Sequence, residues 1–105
     1  MESLQEMLRN QAWVGDAVLG LFARQWLLKH NVPGTSLSRQ ELYSRLTSNQ
    51  FLSGLGEPTA VEARIAQLYA KEGLPAAFAW MEAELIPRFL KQIRKAHPQP
   101  VKKRR

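Results

Sequence analysis

AWVGDAVLGLFARQWLL (residues 12–28) is the stretch that decides the fold, because it is the most apolar part of the chain. Its apolar residues recur so densely that most faces of a helix formed here must be covered. Asp16, Arg24 and Gln25 interrupt the run, which favours a buried helix over a membrane span. Asp16 is the only aspartate of the 105 residues. Because Trp13 and Leu19 lie three residues on either side of it, we expect Asp16 on a core-facing stripe.

The segments on either side of this stretch also predict helices. A first helix is expected from about Leu4 to His30, and a second from about Arg39 to Leu52. Ser38 and Glu41 form a capping-box pattern at the start of the second helix. No stretch alternates like a strand, so the predicted fold is all-α, a helical bundle.

Proline and glycine mark the bounds of the remaining helices. Pro58 suits the first turn of a helix that Gly73 ends. Pro75 opens the last helix, and Pro87 should kink it or divide it. The apolar residues that recur along this last segment at helical spacing are Phe78, Met81, Leu85, Phe89 and Ile93.

The net charge of +6 is unevenly distributed along the chain. Residues 1–84 hold seven Lys and Arg and all nine acids, whereas residues 85–105 hold eight Lys and Arg and no acid. We expect one domain over residues 1–95 and a basic, disordered tail over residues 96–105. The tail suits a polyanion such as RNA, with Lys102, Lys103, Arg104 and Arg105 as phosphate contacts. A solubilising role for the same charges is equally compatible with the sequence. The absence of cysteine excludes a disulfide scaffold and fits a cytoplasmic protein.

Two acids fall on apolar stripes, Asp16 and Glu62. A buried carboxylate is costly unless it is paired or coordinates a metal ion. One explanation is an ion pair with Arg24 or Arg64, or a helix cap. The other is a shared Mg²⁺, which prefers oxygen ligands and would activate a water molecule. Glu62 is placed on an apolar stripe because the residues three, four and seven positions after it are Ile65, Ala66 and Tyr69.

Three blocks of sequence resemble the catalytic domain of the ribonuclease III family. WVGDAVLGLFARQWLL is similar to its signature helix, LSRQELYSRLTSNQFLSGLG to its second block, and AVEARIAQLYAKEGLPAAFAWMEAELIPRFL to its third. The blocks stand in the family's order and cover about residues 10–92. The resemblance implies a ribonuclease III endonuclease-domain fold that works as a homodimer. It also implies that Asp16 and Glu62 are catalytic metal ligands for Mg²⁺, with Mn²⁺ as a substitute.

Two acids of the family's usual set are absent. Ala12 stands at the position of the signature glutamate, and Thr59 at that of an aspartate before the third-block glutamate. The mini-ribonuclease III branch, which lacks a double-stranded-RNA-binding domain, is similar at both positions. In the family that the chain resembles, a longer segment between the second and third blocks helps to grip RNA, whereas here only residues 54–58 stand in its place. Either the basic tail supplies this grip or the substrate has been lost.

The resemblance therefore implies a Mg²⁺-dependent endoribonuclease that cleaves double-stranded RNA, in a role such as ribosomal RNA maturation. Asn49 is a candidate positioning residue near the metal site. An ordinary polar residue on the helix surface is an equally good explanation. Gly20 and a set of large apolar side chains are candidates for the dimer interface. The alternative is a catalytically inactive RNA-binding or ribosome-associated structural module. No helix carries the basic and amide row that a DNA major groove would require. The large apolar side chains proposed for the dimer interface are Trp13, Phe22 and Trp26.

Overall fold

Six helices and no strand make up residues 2–96, the part of the chain that the computed structural model describes. The all-α prediction is confirmed. The tail was predicted from residue 96, but Ala96 still belongs to the last helix. The rest of the predicted tail, including Lys102, Lys103, Arg104 and Arg105, lies outside the described residues. None of the helices within residues 2–96 is long and apolar enough to cross a membrane. The helices are α1 (Leu4–Lys29), α2 (Arg39–Leu46), α3 (Asn49–Leu52), α4 (Pro58–Glu72), α5 (Leu74–Glu84) and α6 (Ile86–Ala96).

The long helix α1 begins at a capping box that the sequence analysis did not use. The Ser3 hydroxyl accepts a hydrogen bond from the Glu6 N–H at 3.0 Å, and the Glu6 carboxylate accepts one from the Ser3 N–H at 3.0 Å. The helix ends at Lys29, because His30 has extended backbone angles. Its predicted bounds are therefore confirmed to within one residue.

The single helix expected from Arg39 to Leu52 is wrong, since the chain turns between α2 and α3. The Thr47 hydroxyl donates to the Tyr43 carbonyl at 2.9 Å, and the Ser48 hydroxyl accepts from the Phe51 N–H at 3.0 Å. Because these hydroxyls satisfy backbone groups, they offer the chain an alternative to continued helix. The turn buries Phe51 and Leu52 in the core.

The predicted bounds of the last three helices are confirmed. Pro58 lies in the first turn of α4, and Gly73 ends that helix with φ of 94°, a conformation that suits glycine. Leu85 separates α5 from α6, and Pro87 stands in the first turn of α6. A proline there cannot continue the α5 hydrogen-bond ladder, since it lacks an N–H and its ring collides with the preceding turn.

The core is built around the second half of α1. Helix α1 packs most extensively on α4, α5 packs on both α4 and α1, and α6 packs on α5. Leu42 and Leu46 are buried from α2, as predicted. The largest fully buried side chains are Phe89, Leu19, Leu46, Leu52, Ile65, Met81 and Leu85.

Candidate functional site

The site lies where α1 and α4 cross, and Gly15 sets the distance between them. A Cβ atom at position 15 would lie 1.8 Å from the Glu62 carbonyl oxygen and 2.6 Å from its carbonyl carbon. Only glycine allows two helix backbones to approach so closely here. The Gln67 side-chain amide donates to the Gln11 side-chain oxygen at 3.0 Å across the same interface. Position 11 opposite 67 and position 15 opposite 62 make the two helices antiparallel.

This crossing brings the carboxyl groups of Asp16 and Glu62 together. Burial is the largest cause that raises the pKa of Glu62 from 4.5 to about 7, followed by its hydrogen bond to Asp16 and by the negative charges of Asp16 and Glu57. A hydrogen bond between two carboxyl groups requires a proton on one of them. The raised pKa of Glu62 means that, without a cation, the pair keeps this proton to a higher pH than an ordinary glutamate would.

The expected burial of Asp16 is wrong. Asp16 is exposed and Glu62 is half-buried. The buried hydrophobic cluster begins on α1 at Val18, two residues later, so Leu19 of the same stripe is buried and Asp16 is not. Trp13, expected on the same core face, is 81% exposed. The pair is consequently open to a large ligand.

Neither arginine proposed as an ion-pair partner neutralises the pair. The Arg24 guanidinium lies over the Tyr43 ring, 4.4 Å from its centroid. The Arg64 guanidinium lies over the Trp80 ring at 5.6 Å. Within residues 2–96, no ion pair links either arginine to Asp16 or Glu62. The helix-capping explanation also does not apply, since the carboxylate that caps α4 belongs to Glu57.

The donor set is limited to two carboxylates. Ala12 is buried one turn before Asp16, and Thr59 is half-buried one turn before Glu62, so neither position adds a charge. No group of three His, Cys, Asp or Glu that could hold a metal ion occurs in the described part of the chain. Two adjacent carboxylates without a nearby cation fit Mg²⁺, which binds through one or two carboxylates and keeps several other oxygen ligands.

Two further predicted residues lie away from the pair. Asn49 is exposed at the start of α3, and its side chain forms no hydrogen bond to either carboxylate within residues 2–96. The expectation that Gly20 serves contact between protein copies is not supported. A Cβ atom at Gly20 would lie 3.1 Å from the Tyr43 hydroxyl of its own chain and 3.2 Å from the Arg24 guanidinium.

The large apolar side chains predicted for a dimer interface divide into two groups. Phe22 and Trp26 are buried in the protein's own core, with 3% and 7% exposure, so assigning them to an interface was wrong. Trp13 remains available on the surface. Further exposed apolar residues follow α1 at intervals of seven, namely Met7, Val14, Leu21 and Leu28.

Sequence reasoning missed two residues of the site. Gly15 was overlooked, although a glycine inside a helix costs about 1 kcal/mol relative to alanine and so signals a close approach. Glu57 was not singled out, because an acid beside a loop rich in Gly and Pro is explained by solvent exposure alone. It is exposed and caps α4 through the Ala60 N–H at 2.9 Å, but its charge also acts on Glu62.

No protein-family model matches the chain, and no curated protein or solved structure matches it. The resemblance to ribonuclease III therefore stays a prediction. Any function has to be argued from the carboxylate pair and the surfaces around it.

Proposed function

We propose that the protein is a Mg²⁺-dependent endoribonuclease of ribonuclease III type that cleaves double-stranded RNA. The observation that carries this proposal is the approach of Asp16 and Glu62 at the Gly15 crossing. Burial raises the pKa of Glu62 most, and the hydrogen bond to Asp16 and the repulsion between the two ionised carboxyl groups raise it further. The ionised pair costs stability, which favours a role in binding a cation.

Asp16 and Glu62 would hold the metal ion, with Mn²⁺ able to replace Mg²⁺. When bound, the ion supplies an activated water and stabilises the charge that develops as an RNA phosphodiester is cut. Glu62 has to release its proton before it can act as a ligand, so metal binding depends on pH. The exposure of Asp16 leaves room for a polymer at the site.

Double-stranded RNA is the substrate that the ribonuclease III resemblance implies. An A-form duplex is recognised by its shape and backbone rather than by base sequence, so a small domain with basic segments suffices to bind it. The products would carry 5′-phosphate and 3′-hydroxyl ends, as the resemblance implies. In the tail, Lys102, Lys103, Arg104 and Arg105 stay candidates for contacts to RNA phosphates.

A homodimer formed through α1 is part of this proposal. Met7, Val14, Leu21 and Leu28 form an exposed row along α1, and Trp13 lies beside it. Exposed apolar side chains that recur along one helix give a surface that another apolar surface can cover. The same row on a second copy would cover it in a symmetric contact, which is the commonest form of self-association.

A catalytically inactive RNA-binding or ribosome-associated module is the second candidate function. Ala12 and Thr59 favour it, because a site with two carboxylates holds a cation more weakly than one with four. The short segment of residues 54–58 also favours the inactive module, since it leaves little chain to hold an RNA substrate. The proton-sharing pair opposes it, because a scaffold would be as stable with neutral residues there.

The two functions are separated by incubating the protein with long double-stranded RNA and Mg²⁺. Asp16→Asn and Glu62→Gln remove the two ligands with little change in shape, and Glu82→Gln, an exposed acid on α5, is the matched control. We expect the parent and the control to cleave and both ligand variants to lose at least about a hundredfold in rate. No cleavage by the parent, or equal cleavage by all four proteins, would exclude the enzyme.

A further inference from the structure

Helix α6 has an apolar face turned into the core and a cationic face turned to solvent. Ile86, Phe89 and Ile93 are buried. The exposed side chains include four cations, and the helix contains no acid. Within residues 2–96, none of these cations forms an ion pair. We call this surface the α6 cationic face, and its cations are Arg88, Lys91, Arg94 and Lys95.

A groove runs between the α6 cationic face and the end of α2. Its floor is apolar, formed in part by Phe51 and Phe89, whose rings meet edge to face with centroids 5.7 Å apart. Arg45 of α2 and Lys95 of α6 also line it. No acidic residue contributes to the lining, which includes the side-chain amides of Gln50 and Gln92.

The groove is tied to the chain segment that leads to the carboxylate pair. The Arg88 guanidinium donates to the Gly54 carbonyl at 2.6 Å, and Gly54 lines the groove. Glu57, whose charge acts on Glu62, is only three residues further along the chain. Three residues span at most about 11 Å, so Gly54 lies within that distance of Glu57.

We infer that the α6 cationic face and Arg45 form a binding surface for the phosphate backbone of RNA. The identity of the polyanion as RNA rests on the proposed function. Residues of the folded domain would then bind RNA together with the basic tail. Lys91 and Lys95 lie one turn apart, and Arg88 to Lys95 covers about 10 Å along the helix axis. That length covers a few nucleotide steps of one strand, enough for contacts to successive phosphates.

The surroundings of α6 favour a nucleic acid over a lipid surface. A basic amphipathic helix binds membranes by inserting its apolar face, and in α6 that face is already buried in the core. The side chains around α6 also favour a nucleic acid over an acidic protein, because Lys, Arg and Gln together are typical of contacts to phosphate and sugar oxygens. The side-chain amides of Gln50 and Gln92 form no hydrogen bond within the described residues, so they are available for such contacts.

The test measures binding of a fluorescent RNA duplex to the full chain by anisotropy, without divalent cations so that no cleavage occurs. The variant Lys91→Gln/Arg94→Gln/Lys95→Gln removes three cations of the α6 cationic face. The matched control Lys29→Gln/Arg39→Gln/Lys71→Gln removes three exposed cations elsewhere. We expect the α6 variant to bind at least about tenfold more weakly and to lower the slope of log Kd against log salt by about 2 to 3. The control should change Kd by less than about threefold, and Arg45→Gln alone should lower the slope by about 0.7 to 0.9.

Equal effects of the two triple variants would overturn the inference, because they would show only a response to net charge. An unchanged slope in the α6 variant, or no duplex binding by the parent, would overturn it as well. So would loss of binding to anionic phosphatidylserine vesicles with RNA binding intact, since the surface would then serve lipid. Cleavage with Mg²⁺ is scored separately on the parent. RNA binding that depends on α6, without cleavage, would sustain this inference and remove the enzymatic proposal.

Discussion

Replacing Gly15 with alanine puts a methyl group into the closest contact between α1 and α4. The added Cβ would lie 1.8 Å from the Glu62 carbonyl oxygen, whereas real Cβ atoms essentially never come nearer than 3.0 Å. Both partners are backbone atoms within helices, so no side chain can rotate away. The helices must separate by about 1.2 Å or more, and the carboxyl groups of Asp16 and Glu62 must move apart with them.

The size of the effect follows from two opposing contributions. Forcing extra atoms into a packed contact costs about 1–3 kcal/mol, and a backbone contact belongs at the upper end of that range. Alanine in place of glycine within a helix returns about 1 kcal/mol. We expect Gly15→Ala to lower the free energy of unfolding by about 2 kcal/mol, which corresponds to about 10 °C in Tm for a domain of this size. The pKa of Glu62 should fall below about 7, because separated helices bury Glu62 less and Asp16 moves away.

Urea and thermal unfolding measure this effect, and Gly20→Ala provides the control. A Cβ atom at Gly20 would meet only the ends of two side chains, the Tyr43 hydroxyl at 3.1 Å and the Arg24 guanidinium at 3.2 Å. Both can shift, so we expect that variant to lie between about 0.5 kcal/mol less and 1 kcal/mol more stable than the parent. Equal stability of the two variants would refute the argument that Gly15 sets the distance between the helices.

Three further predictions concern the pair and the surface of α1. Because folding raises the pKa of Glu62 from 4.5 to about 7, the stability that its proton provides is present below pH 4.5 and is lost as the pH rises through about 7. The full shift would equal about 3.4 kcal/mol, and solvent screening reduces it to about 1–2 kcal/mol. Between pH 4.5 and 7.5, the free energy of unfolding measured in urea should therefore fall by about 1–2 kcal/mol more in the parent than in Glu62→Gln. Mg²⁺ should raise the Tm of the parent and raise it less in Asp16→Asn, because the ion binds only the folded pair; an equal rise would place the ion elsewhere. Leu21→Glu should convert dimers to monomers in sedimentation velocity, with Tyr69→Glu, also an exposed apolar position, as the control; a parent that is already monomeric would contradict the dimer.

Much of the fold could be predicted because its helices begin and end at short local signals. Ser38 with Glu41, Pro58, Gly73 and Pro87 each act within a turn of their own position, and the structure uses all of them. The turn between α2 and α3 was not predicted, since Ser48 reads as an ordinary helix residue until its hydroxyl is seen to accept from Phe51.

The candidate site was less predictable, because it depends on how two distant helices meet. Apolar spacing places Asp16 in line with Leu19 and Ala23, but it does not say where along α1 the core ends. The exposure of Asp16 follows from the position of α4, which no local pattern specifies. Glu62 lies beside Asp16 because Gly15 permits close approach at one register of the antiparallel helices.

The most direct test of the central claim is calorimetric titration of the RNA-free protein with Mg²⁺ at pH 8. We expect one ion per carboxylate pair in the parent and no measurable binding in either Asp16→Asn or Glu62→Gln. Glu82→Gln should bind as the parent does, because that acid is remote from the pair in sequence and exposed on α5. Absence of binding in the parent, or binding that survives both single changes, would contradict the claim that Asp16 and Glu62 form one cation site.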